Sequence, residues 1–148
     1  MSGLRILNRK LIFYIILIVV LFFTIACSEA NDIKNKRVNE LVDKISQMEY
    51  VGDVKAHNRA YSMYINIIFE NGFTENDSLK ILDLAKNYID SDTVDALRTE
   101  FGQEEPPDTN IFFRDSEGTI IYAFRGSFYE STDKTVPPAY TEYRWVAT

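Results

Sequence analysis

Cysteine and histidine each occur once among the 148 residues, at Cys27 and His57, and tryptophan once, at Trp145. A lone cysteine cannot close a disulfide within the chain, so the fold must hold by packing alone. One histidine and one cysteine cannot supply the nitrogen and sulfur ligands of a zinc site. Glycine and proline are sparse, six and four residues. The chain has no glycine-rich phosphate loop and no G-x-S-x-G nucleophile turn. Basic residues are outnumbered, 16 Lys+Arg against 22 Asp+Glu. That balance argues against nucleic acid as a partner and against direct electrostatic attraction to anionic lipid. There is no internal repeat and no sign of a second domain.

What the chain does have is a distinctive start. Arg5, Arg9 and Lys10 form a basic segment, Leu11 to Ala26 is uncharged and strongly apolar, and Thr24-Ile25-Ala26 leads into Cys27. A basic, apolar, small-residue series is the pattern of a secretory signal, with the basic end retained in the cytoplasm. The 16 residues of the apolar run span roughly 24 Å as a helix at about 1.5 Å per residue, short of a hydrocarbon core of roughly 30 Å. An uncleaved anchor and an ordinary signal peptide with an incidental cysteine are the competing readings.

Residues 1–28 resemble the bacterial lipoprotein precursors, whose lipobox places a cysteine directly after the cleaved bond. The resemblance implies cleavage between Ala26 and Cys27, and a diacylglyceryl group on the Cys27 thiol. It also implies acylation of the new amino group, for instance by palmitate. Thr24 departs from the leucine usual at that place, and Ser28 follows the cysteine where inner-membrane retention would favour aspartate. Two or three acyl chains together anchor stably where one is marginal. The implied organisation is a cleaved signal over 1–26, a lipid-attached tether over 27–35 and one globular domain over 36–148, on the extracytoplasmic face of a membrane. Removal of three basic residues and no acid leaves 13 Lys+Arg against 22 Asp+Glu, a net charge of −9. The 122 remaining residues (148 − 26) suffice for one core.

Along that domain, Ile33, Arg37, Val38, Leu41, Val42, Ile45 and Met48 recur at helical spacing and predict a helix over about 32–50, closed by Gly52. Tyr61 to Phe69 alternates as a strand, with Tyr61, Met63, Ile65, Ile67 and Phe69 on one side and Ser62, Tyr64, Asn66 and Ile68 on the other. Val54 to Arg59 extends this strand or forms a separate short one. Thr74 marks a helix start, with acids in the first turn. Leu79, Ile81, Leu82, Leu84, Ala85, Tyr88 and Ile89 form the expected buried arc. A second helix starts at Ser91-Asp92 and ends at Gly102. Residues 103–109 read as an acidic, proline-containing loop, and Asp115-Ser116-Glu117-Gly118 as the turn of a hairpin between strands 110–114 and 119–129. A polar loop over 130–138 precedes a last strand over 139–147. The pattern predicts an α+β fold: an antiparallel or mixed sheet of about four strands with two or three helices packed on one face.

Chemistry is thinly represented. Asp53 lies four residues before His57, a spacing that on a helix would orient the imidazole as a base, but no nucleophile accompanies them. Asp90-x-Asp92-x-x-Asp95 and Asp115-x-Glu117 offer oxygens for calcium but lack the glycine and distal glutamate of an EF-hand. Asp92 and Asp95 read better as helix-start residues. Glu104 and Glu105 are adjacent in a loop, which does not make the facing carboxylates of a glycosidase. No catalytic residue, metal ligand or cofactor is assigned.

Aromatic residues are abundant in the last third, including Phe112, Phe113, Tyr122, Phe124, Tyr143 and Trp145. They line the sheet core or present a binding patch to sugars or protein. On the hairpin, Ile121, Ala123, Arg125 and Tyr129 share the more polar side, so Arg125, Tyr129 and Tyr140 are the candidate binding surface. The expectation is a non-catalytic, lipid-anchored domain that binds a protein or envelope component, with an immunity or exclusion lipoprotein as one specific version. Alternatives are an envelope hydrolase using His57 or a carboxylate pair, and a structural lipoprotein that assists assembly.

Overall fold

The computed structural model describes residues 30–130 and 140–148. The elements run β1 (Asn31–Asp32), α1 (Lys36–Ser46), β2 (Val51–Arg59), β3 (Ser62–Phe69), α2 (Glu75–Tyr88), α3 (Ser91–Phe101), β4 (Asp108–Arg114), β5 (Ile120–Glu130) and β6 (Tyr140–Ala147). The class is α+β, as expected, but the sheet has six strands in the order β1-β2-β3-β4-β5-β6 rather than about four. It is mixed: β3 and β4 are parallel, joined through α2 and α3, and every other neighbouring pair is antiparallel.

Of the extra strands, β2 contains Val54–Arg59, which is a separate strand rather than an extension of the next, and β1 comes from the expected tether and helix start. The first helix is shorter than 32–50: Asn35 caps its start, its side chain accepting from the backbone N–H of Arg37 and Val38 at 3.0 and 3.2 Å, and Gln47 ends it. Gly52 does not close it but lies in β2, beside a bulge between Val51 and Asp53. Two residues of the expected tether, Asn31 and Asp32, pair with Asn58 and His57, and Ile33 is buried in the core. The ordered domain therefore begins before residue 36.

Local signals placed most other elements. Thr74 starts α2, where its N–H and its hydroxyl both donate to the Asp77 carboxylate at 3.0 and 2.7 Å. Gly102 ends α3 with φ 66, a left-handed conformation that glycine adopts without a Cβ penalty. In the β4–β5 turn Asp115 accepts from the backbone N–H of Glu117 and Thr119, and Gly118 sits at φ 86. The β2–β3 hairpin has a two-residue loop, Ala60-Tyr61, with Ala60 at φ 53.

One core holds these layers together. The helices contribute Val38, Leu41, Ile45, Ile81, Leu82, Ala85, Val94 and Leu97; the sheet contributes Val54, Met63, Ile65, Ile67, Ile111, Phe113 and Phe124. On β3 the expected inward set holds for Met63, Ile65 and Ile67, but Tyr61, in the turn, is 78% exposed. On α2, Leu79 is 43% exposed, outside the expected arc. Arg37 ties the helices: it donates to the carbonyls of Asn87 (2.9 Å) and Tyr88 (3.3 Å) at the end of α2 and pairs with Asp90 at 2.9 Å.

Candidate functional site

The sheet residues that alternate with the core-facing ones form a face that the helices do not cover. Register fixes which side chains meet there. His57 lies opposite Tyr64, Tyr64 opposite Asn110, Asn66 opposite Phe112, and Asn110 opposite Arg125. The rings of His57 and Tyr64 lie parallel within 14° with centroids 5.5 Å apart; those of Tyr64 and Phe112 lie within 24° at 6.1 Å. Three planar groups from three neighbouring strands thus make one strip.

Cations flank the strip. The Arg114 guanidinium lies 5.6 Å from the Phe112 ring centroid, and it donates through Nε to Asn66 Oδ1 (3.3 Å) and through Nη1 to the Gly118 carbonyl (2.9 Å). The strip and the two arginines Arg59 and Arg114 line a shallow groove of about 370 Å³ with Ala60 and Asn66. No carboxylate lines it. Burial, and next the Arg59 charge, hold the His57 pKa below the ordinary imidazole value, which favours the neutral ring. A neutral imidazole carries one donor and one acceptor nitrogen.

The sequence-derived candidates divide. Arg125 stands on this open face and forms an ion pair with Asp108. Tyr129 and Tyr140 belong to β5 and β6, but their side chains lie outside the described residues, as do Ala26, Cys27 and residues 131–139. The aromatic question resolves both ways. Phe113 and Phe124 are buried, and Tyr122, Tyr143 and Trp145 pack against the core, whereas Phe112 belongs to the open face.

The oriented-base arrangement does not form. Asp53 and His57 sit on a strand, not a helix. Four residues at about 3.3 Å each separate them by roughly 13 Å, and Asp53 pairs instead with Lys55 at 3.1 Å. The acidic clusters serve local structure: Asp90 caps α3 through the Thr93 N–H at 3.0 Å, Asp95 pairs with Arg98 at 2.7 Å, and Asp115 shapes its turn. Among the described residues no group of three His, Cys, Asp or Glu is arranged to hold a metal ion. A larger recess of about 570 Å³ lies between the β2–β3 turn and the loop after α3, lined by Tyr61, Gln103, Glu104, Glu105 and Asp108 among others. There Gln103 Nε2 donates to the Ala60 carbonyl at 3.0 Å, and Asp108 is already engaged with Arg125.

Sequence reasoning did not gather Arg59, Tyr64, Asn66 and Arg114 into a site. The alternation of Tyr64 and Asn66, and the Phe112-x-Arg114 spacing, were the available signals; the β2–β3 hairpin pairing and the parallel β3–β4 pairing were not. Among the described residues no helix is long and apolar enough to cross a membrane. The chain matches no family model, no curated protein and no solved structure.

Proposed function

We propose that this protein is a bacterial lipoprotein, cut between Ala26 and Cys27 and lipidated on Cys27, that displays a non-catalytic binding domain outside the membrane. The open face of the sheet, from His57 to Arg125, is the surface that meets a protein or envelope component. The observation that carries this reading is the strip of rings flanked by guanidinium groups on the face of the sheet opposite the three helices of the described residues, none of which covers it. The N-terminal pattern supports the address. The separation of Asp53 from His57 supports a binding role over the hydrolase alternative. An immunity or exclusion role belongs to the same class; a basic partner would then meet acids away from the groove, with capture that weakens steeply in salt. A scaffold role in assembly has one observation in its favour, namely that among the described residues β6 is an end strand of the sheet, the kind of strand that pairs with another chain.

Two experiments test the proposal. Cys27→Ala is expected to leave an unprocessed precursor that takes up no lipid label; normal processing and labelling would reject the address. A photo-crosslinking residue at Ala123, on the open face, is expected to capture an envelope component in intact cells, while one at Leu79, on the outer side of α2, is not. Capture from Leu79 alone would move the binding surface to the helices.

A further inference from the structure

We propose that the groove formed by His57, Arg59, Tyr64, Asn66, Phe112 and Arg114 is a subsite for an acidic saccharide, a sugar ring bearing a carboxylate. This rests on the open face being a binding surface and names the ligand class that the surface takes. In a chain with 22 acids against 16 Lys+Arg, the groove has two guanidinium groups and no carboxylate. Its charge therefore selects for an anion.

Arg114 is held in place before any ligand arrives. Asn66 and the Gly118 carbonyl occupy two N–H groups of Arg114, and a guanidinium has five, so donors remain in a fixed planar fork that matches a carboxylate. Among the described residues no carboxylate forms an ion pair with Arg59 or Arg114. The rings of His57, Tyr64 and Phe112 supply a rigid apolar strip for the C–H groups of a pyranose. The Asn66 amide, the Tyr64 hydroxyl and a ring nitrogen of His57 supply the mixed donors and acceptors that sugar hydroxyls need.

A sugar fits this place better than an acidic peptide. The floor is mid-sheet: β3 is bonded to β2 and β4, and β4 to β3 and β5. No strand edge is offered, so a peptide could not add its main chain to the sheet. The ligand must be held by side chains alone, and a saccharide satisfies its polar groups in that way.

The test is calorimetric titration of the full-length protein in detergent micelles with tetragalacturonate, its methyl ester and tetraglutamate. Tetragalacturonate is expected to bind, and the uncharged ester about tenfold or more weaker, the size of one lost charge-assisted contact. Arg59→Gln is expected to cost a similar factor. Arg114→Lys, which keeps the charge and loses the fork, is expected to weaken binding as well. No binding of tetragalacturonate, equal binding of the ester, or affinity unchanged in both variants would overturn the inference. Tetraglutamate binding as tightly as tetragalacturonate would overturn it too, in favour of a peptide. Crosslinking from Ala123 that persists when tetragalacturonate fails to bind would sink the saccharide and leave the binding surface standing; loss of both would sink the surface.

Discussion

Gly126→Ala offers a sharp check on how the sheet closes on its core. Gly126 lies in β5 opposite Trp145 in β6. A methyl carbon added there would stand 2.5 Å from Tyr143 Cε1, 2.6 Å from its hydroxyl oxygen and 2.7 Å from Cζ. Ordinary carbon contacts start near 3.5 Å, so the ring must retreat by about 1 Å. It has little room. The Tyr143 ring meets Trp145 edge to face at 5.5 Å, and burial raises the pKa of its hydroxyl well above the ordinary tyrosine value, with Thr109 acting against that shift. Overpacking of this kind costs about 1–3 kcal/mol. Replacing glycine in a strand returns about 0.5–1 kcal/mol of backbone entropy, leaving a net loss of about 1–2 kcal/mol and a lower melting temperature by roughly 5–10 °C. Urea unfolding followed by circular dichroism measures the global loss, and fluorescence of the single tryptophan, Trp145, reports on β6. The decisive arm is Tyr143→Val, which removes the ring. In that background Gly126→Ala is expected to cost nothing or to stabilise, and the cycle then gives a coupling of about 1 kcal/mol or more. An equal cost in both backgrounds would refute the packing argument.

Two further outcomes follow from the same contacts. Arg37→Met removes the ion pair with Asp90 and both bonds to the last carbonyls of α2; with these side chains half exposed, the loss in urea stability is expected near 1 kcal/mol, and an unchanged midpoint would show that the helices do not depend on this tie. His57, which faces Tyr64 and Arg59 and lies opposite Asp32 in β1, is expected to titrate below 6.5 by NMR because burial, and then Arg59, lower its pKa. The unfolded chain then binds the proton more readily than the folded one, so the contribution is present above pH 6.5 and fades as pH falls through the folded pKa. Arg59→Gln is expected to bring the titration nearer 6.5, and a His57 pKa above 6.5 in the native protein would contradict the assignment.

Much of the scaffold is written locally in the chain. Alternation alone identified the core side of β3, because Met63, Ile65 and Ile67 repeat at the strand period and one face of the sheet is dry. Thr74, Gly102 and the Asp115–Gly118 turn act through bonds or backbone freedom spanning a few residues, so their signals survive without tertiary context. The β2–β3 hairpin escaped for equally local reasons. Its turn carries Ala60 where glycine or asparagine is usual at positive φ, and β2 offers mostly polar residues on its open side. The strip of His57, Tyr64 and Phe112 is of another kind. It exists only because β2 folds back on β3 and β4 then docks parallel to it, bringing residues 57, 64 and 112 within ring contact. The sequence by itself determined the N-terminal pattern that ends at Cys27, the charge, the absence of disulfides and the inward side of most elements. Only the tertiary structure decided which outward side chains stand together, because strand partnership and register are set by packing between segments that carry no mark of one another.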